Sequence, residues 1–135
     1  MLLKPYRVLD LTGPLGYLCG RILGDLGADV IKIEPPGGDP MRSSPQQHLY
    51  FRVFNANKRG ITLDMETAAG RTLFLKLVKK ADFVLESFPP GTLDKLGLGY
   101  ARLHEEKPSA ILVSDRKSTR LNSSHIQKSR MPSSA

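Results

Sequence analysis

Cysteine is almost absent from this sequence. Cys19 is the single thiol in 135 residues, so no internal disulfide can form, and no Cys/His cluster stands at metal-ligand spacing. That usage favours a reducing, cytoplasmic setting and gives no reason to expect a metal. Long hydrophobic runs are missing too: no stretch approaches the roughly 20 apolar residues that a membrane span needs. The start, "MLLKPYRVLDLTG", has no charged leader followed by an extended apolar run, so nothing asks for export or a membrane. His48 and His104 have no serine in a strained elbow motif to serve, and each reads as a surface histidine.

What is present is charge, and most of it lies at one end. The formal net charge is +7. Residues 115–135, "DRKSTRLNSSHIQKSRMPSSA", set Arg116, Lys117, Arg120, Lys128 and Arg130 against Asp115, a net of +4, which leaves +3 for residues 1–114. A nucleic-acid partner would have to use this tail, which has no aromatic residue to stack on bases. Its large apolar residues, Leu121, Ile126 and Met131, share no helical or strand period. Such a segment cannot bury enough surface to offset its ordering entropy, and disorder is expected over 115–135.

Across 1–114, short apolar β-branched runs alternate with helical patterns, the rhythm of βαβ units and a parallel sheet. "RVLDL" (7–11) reads as the first strand. From Leu15 to Gly27, the spacing of Leu15, Leu18, Ile22 and Leu26 predicts a helix with one apolar stripe, closed by Gly27 in a left-handed C-terminal position. "DVIKIE" (29–34) is a second strand, stopped by "PPGGDP", and a long loop follows. "RGITLDM" (59–65) reads as strand three, and residues 66–81 as a helix with Ala69, Leu73, Leu77 and Phe74 inward. "DFVLESF" (82–88) is strand four. Two short helical pieces follow, at 92–96 and 100–106, and then "SAILVS" (109–114) as strand five. The expected architecture is an open, doubly wound α/β layer: a parallel sheet with helices on both faces, stopping after about five strands.

Three motifs could carry chemistry. "TGPLGYLCG" places Gly13, Gly16 and Gly20 after strand one, but the spacing misses the G-x-G-x-x-G dinucleotide fingerprint. These glycines would either let a ligand approach the helix N-terminus or let the helix pack closely on the sheet. "NANKRG" (55–60) sets Lys58 and Arg59 beside two amides, either to hold phosphate or as a turn with solvated cations. Glu34 and Asp39 flank the Pro/Gly loop, with no sign in the sequence that they converge as an acid/base pair.

Taken in order, "VLDLTGPLG", "LGDLGADVIKIEPPGGDPMR", "FNANKRGITLDMETAAGRTLFLKLVKKADFVLESFPPGTLDKLGLGYARL" and "PSAILVS" resemble the N-terminal region of the class III acyl-CoA transferases. This family includes formyl-CoA and carnitine CoA-transferases and α-methylacyl-CoA racemase. The resemblance covers residues 7–114. It implies a Rossmann-like α/β fold, chains interlocked as homodimers, and coenzyme A lying over the ends of the first strands. It implies acyl-CoA and a carboxylic acid acceptor as reaction partners, with neither metal, nucleic acid nor membrane. CoA contacts are implied at Pro14 and Leu15, at Leu63, Asp64, Met65 and Glu66, at Ser87, Phe88 and Pro89, and at Lys95. Backbone amides and Lys95 would meet the phosphates, and Leu15, Leu63 and Phe88 would offer apolar contact to the adenine or pantetheine.

The chain departs from the family pattern in places. Pro35 stands where relatives often carry Arg, and Lys95 where some do, which weakens the expected grip on phosphate because lysine lacks the guanidinium fork. The family's catalytic aspartate, which attacks the acyl-CoA thioester, lies beyond "ILVS", so no catalytic residue is assigned and residues 1–114 are expected to be the N-terminal part of the large domain, inactive alone. With suitable codons, 115–135 back-translates in one frame into a common sequencing-library adapter, so native sequence is expected to end near Ser114. Transferase and racemase remain alternatives for the parent protein, beside a non-catalytic nucleotide-binding Rossmann-like module.

Overall fold

The computed structural model describes residues 1–115. Its first strand, β1 (Arg7–Leu11), has the bounds expected from the sequence, as does β2 (Asp29–Glu34). Between them runs α1 (Tyr17–Asp25), two residues shorter than the pattern suggests at each end, followed by Gly27 at φ +103°. The segment read as a long loop contains α2 (His48–Phe54), and then β3 (Lys58–Thr62). Helix α3 (Ala68–Val78) leads to β4 (Phe83–Glu86), α4 (Thr92–Lys95), α5 (Tyr100–Glu106) and β5 (Ile111–Ser114). Asp115 extends the last ladder by donating its amide to the Glu86 carbonyl at 2.8 Å. The expectations for the remaining tail, 116–135, lie outside the described residues.

All four pairings are parallel, in the order β3-β2-β1-β4-β5. Leu9 is in register with Ile31 on one side and Val84 on the other. Side chains alternate across a strand, so Leu9, Leu11, Ile31, Ile33 and Val84 share one face. There they form the main core with Phe74 and Val78 of α3 and Leu103 of α5. The opposite face, under α1, begins apolar with Val8, Val30 and Leu85. Farther along the strands it turns charged, with Asp10, Lys32 and Glu34 all buried.

Two helix readings differ from what is found. The stripe Leu15, Leu18, Ile22 and Leu26 is 73, 51, 49 and 42% exposed, whereas Tyr17 and Gly20 turn inward. The sheet beneath the start of α1 carries the buried Lys58–Asp10 ion pair, which Tyr17 and Gly20 cover, and only Leu23 farther along the helix packs against the apolar patch of Val8, Val30 and Leu85. Helix α3 buries Gly70, Phe74 and Val78, a set four residues apart. The expected Ala69 and Leu73 are exposed and Leu77 sits at the flank of the core. Phe74, fully buried, fixes the rotation because it is the largest apolar side chain of the helix.

Candidate functional site

The carboxyl ends of β1, β2 and β4 open into a cleft of about 360 Å³. Strand order reverses at β1, whose neighbours are reached by crossovers on opposite faces, and such a switch point is where open α/β sheets bind ligands. Leu11 contributes from β1 with Thr12 and Gly13 just past it, Ile33 through Pro36 and Asp39 from β2 and its loop, Thr92 from α4 and Leu96 just past it. Into the same cleft come Leu63, Asp64, Met65 and Glu66 after β3, and Ser87, Phe88 and Pro89 after β4. Seven of the ten residues expected at a coenzyme site therefore meet. Pro14 and Leu15 are exposed just past Gly13, and Lys95 is exposed on α4 next to Leu96; these three do not line the cleft.

The cleft walls are fastened by side chains acting on backbone amides. Ser87 Oγ accepts from the Gly13 amide at 2.7 Å, tying the loop after β1 to the loop after β4. Asp10 accepts from the Thr12 amide at 2.9 Å, Asp64 from Glu66 at 3.0 Å, and Glu86 from Phe88 at 2.8 Å. The loop of residues 63–66 is held from behind by Arg71, which donates to the carbonyls of Met65 and Glu66 at 3.1 and 2.8 Å. Thr67 caps α3 by accepting from the Gly70 amide at 3.0 Å. Gly70 itself is obligatory, because a Cβ there would collide with the Asp64 carbonyl.

Under α1 lies a second constellation. Lys58 Nζ donates to Asp10 Oδ2 at 2.7 Å, to the Tyr17 carbonyl at 2.9 Å and to Asn55 Oδ1 at 2.8 Å, which uses all three ammonium donors. The two charged side chains are 1% and 0% exposed. A Cβ on Gly20 would strike the Asp10 carboxylate and one on Gly16 the Thr12 side chain, so these glycines serve close packing of α1 over the pair. Lys32 reaches the Thr12 carbonyl at 2.9 Å and Asp39 at 3.5 Å, and Asp39 also accepts from the Tyr17 hydroxyl at 2.5 Å. Glu34 takes the Asp39 amide at 2.8 Å and the Arg42 guanidinium at 2.5 and 3.1 Å.

Electrostatics follow from this packing. Burial drives the Lys58 ammonium below its ordinary range, opposed by the Asp10 charge. Burial also pushes the Tyr17 phenol up, and its bond to Asp39 adds to the shift. For Glu34, burial acts upward, but the Arg42 and Asp39 hydrogen bonds outweigh it and hold the carboxyl below its usual value. Neither reading of "NANKRG" describes what is found: Lys58 is buried and paired, and Arg59 binds Asp29 at 2.7 and 2.9 Å. Glu34 and Asp39 do come together, as anchors of the 35–42 loop. His48 and His104 are exposed, one against the Pro45 carbonyl and one stacked on Tyr100.

Thr12, Ile33, Pro36, Thr92 and Leu96 line the cleft without having been singled out. Their signal was position alone, at strand ends or next to an expected contact. Among the described residues, no group of three or more His, Cys, Asp or Glu could hold a metal ion, and no helix is long and apolar enough to cross a membrane.

Comparison with known proteins places this geometry. The model of CoA-transferase family III matches residues 3–116. A succinyl-CoA–D-citramalate CoA-transferase from Chloroflexus aurantiacus is 45% identical over 118 residues, covering 82% of this chain and 29% of the relative. A succinyl-CoA:mesaconate CoA-transferase from Haloarcula hispanica is 44% identical, covering 84% and 31% respectively. The crystal structure of Rv3272 from Mycobacterium tuberculosis superposes with a TM-score of 0.81 at 42% identity, over 84% of this chain and 32% of that one. A CAIB/BAIF family protein from Brucella suis gives 0.78 at 40%, over 82% and 32%. The chain thus spans under a third of the length of these relatives.

Proposed function

The chain belongs to CoA-transferase family III, and from that premise we propose that the cleft at the carboxyl ends of β1, β2 and β4 is the coenzyme A site of an acyl-CoA:carboxylate CoA-transferase. The observation that carries this reading is the meeting of Leu63–Glu66 with Ser87–Pro89 at the strand-order switch point, where Ser87 also ties its loop to the one after β1 through the Gly13 amide. The reacting partners would be an acyl-CoA and a carboxylic acid acceptor, and the parent protein an interlocked homodimer. The family's chemistry, carboxylate attack on a thioester to give a mixed anhydride and then an enzyme-bound thioester, needs an aspartate that none of the matched motifs supplies. The 135-residue chain is therefore expected to bind CoA without transferring it.

Calorimetry with CoA and with NAD tests the reading. CoA should bind with a stoichiometry of one per chain while NAD does not, since the glycine spacing after β1 lacks the dinucleotide fingerprint. Equal binding of both would favour the non-catalytic nucleotide module, and no CoA binding would refute the assignment. Mixing the chain with succinyl-CoA and a carboxylate acceptor should give no transfer above buffer; turnover would overturn the expected inactivity.

A further inference from the structure

On the α2 side of the sheet, a second cavity of about 220 Å³ is lined by Lys32, Arg42, Arg52, Lys58 and Arg59 with one carboxylate, Glu34. The two lysines are buried beneath it in their pairs with Asp39 and Asp10. The three arginines are exposed at its rim. Arg42 gives Nε and Nη2 to Glu34, and its guanidinium carbon lies 4.5 Å over the Phe51 ring. Arg59 gives the same edge to Asp29. A guanidinium paired side-on in this way keeps its Nη1 hydrogens and one on Nη2, a second fork that matches an oxyanion. Arg52 makes no ion pair among the described residues. Arg7 shares Asp29 with Arg59, so the network sets six cations against Asp10, Asp29, Glu34 and Asp39, a formal excess of two positive charges. Gly60, in the middle of β3 and in register with Lys32, borders the same space. Its φ is not positive, and a Cβ there would meet only Glu34 Oε1 at 3.6 Å and Arg42 Nη2 at 3.7 Å, ordinary contacts. Neither backbone conformation nor packing therefore calls for glycine, although glycine weakens a strand interior. Such a glycine marks a place where a ligand comes close to the backbone.

From the forked arginines, the charge excess and the bare strand position, we infer that this cavity binds a small dianionic oxyanion of the phosphate class, at a site separate from the coenzyme cleft. The anion rests against Gly60 between the free edges of Arg42 and Arg59, and Arg52 closes over it. Lys58, whose three donors are spent within the protein, contributes through charge alone. Glu34 stands between cavity and cleft, but its oxygens are taken by Arg42 and the Asp39 amide. Because Glu34, Asp29 and the Phe51 ring already hold two of the guanidiniums in place, little side-chain entropy remains to be lost on binding.

Calorimetric titration of the 135-residue chain with inorganic phosphate, at an ionic strength fixed with sodium chloride, tests the site. One phosphate should bind per chain, and added CoA should leave its dissociation constant unchanged within about threefold. Arg52→Gln should weaken binding roughly tenfold or more, the worth of a charge-assisted hydrogen bond. Gly60→Val should abolish it while the thermal midpoint holds or rises, since a β-branched residue suits a strand. Lys76→Gln, an equal loss of charge at an exposed position on α3 across the sheet, should change nothing. Absence of saturable binding, equal weakening by Arg52→Gln and Lys76→Gln, or binding that survives Gly60→Val in a folded chain overturns the site. Should Gly60→Val not fold, the comparison of Arg52→Gln with Lys76→Gln, both at exposed positions, still decides. Displacement of phosphate by CoA overturns the separate site and leaves the coenzyme reading intact. Phosphate binding in a chain that does not bind CoA supports the site and refutes the coenzyme reading.

Discussion

Replacing Lys58 by Met removes the cation from a pair whose members are 1% and 0% exposed. Methionine fills similar space but leaves the Asp10 carboxylate under α1 with only the Thr12 amide and hydroxyl as donors, at 2.9 and 2.6 Å. It also deprives the Tyr17 carbonyl and Asn55 of their Lys58 bonds. Breaking a buried pair from one side costs about 3–5 kcal/mol because a charge stays buried without its partner. A domain of this size has on the order of 5–15 kcal/mol in total, so the variant should lose about a fifth of its stability or more. In urea the midpoint should fall by more than 1 M at unchanged slope, given a slope of about 1–3 kcal/mol per M. The double variant Asp10→Asn with Lys58→Met should recover at least about 1 kcal/mol, because no ion then remains to be desolvated, and it serves as the test should the single variant fail to fold. A Lys58→Met cost below about 1 kcal/mol, the range of exposed pairs, would refute the claim that Gly16 and Gly20 seal this pair from water.

Other perturbations probe the remaining parts. Gly70→Ala places a methyl against the Asp64 carbonyl, so it should weaken CoA binding at least tenfold through the loop of residues 63–66, as calorimetry would show. Glu34 is held below its ordinary 4.5 in the folded state; its contribution is complete above that value and is lost as pH falls through the lower folded one. Glu34→Gln should therefore flatten the acid limb of a stability–pH curve below about pH 4.5 while leaving the curve's shape near neutrality. Phe74→Ala, in a fully buried position, should cost about 3–5 kcal/mol, whereas Ile22→Ser on the exposed stripe should cost under about 1; reversal of that order in thermal melts would contradict the helix orientations.

The strands were readable because a parallel sheet is marked by β-branched runs between turn signals, and "RVLDL" and "DVIKIE" announce both ends by composition. Helix orientation was not. Periodicity assumes that the apolar side faces inward, and α1 violates the assumption: its inward residues are Tyr17 and Gly20, chosen for an ion pair and a close approach that a hydropathy pattern does not register. Helix α2 escaped notice because "HLYFRVF" is only seven residues, under two full turns, and buries only Phe51, which is too short a stretch for an amphipathic period to be detected. The cleft was legible through family resemblance at Leu63–Glu66 and Ser87–Pro89. Residues such as Ile33 and Thr92, which enter it only because their elements end there, carry no local signature.

The two sheet faces divide the work that shapes the cleft. The face toward α3 is hydrocarbon throughout, from Leu9 and Ile31 to Phe74, and hydrophobic packing of this kind has little directional preference. It can fix the sheet as a floor but cannot specify where a loop lies. The face toward α1 supplies direction: Glu34 is hydrogen-bonded by Arg42, and Asp39 is hydrogen-bonded by Tyr17 and ion-paired with Lys32. Pro35 and Pro36, between those anchors, are thereby set as one wall. Glu34 belongs to both systems, because its carbonyl accepts the Leu63 amide at 2.9 Å and so also sets the start of the opposite wall. Buried charge on the α1 side thus has a positional use that an apolar replacement, even one of equal stability, would not reproduce.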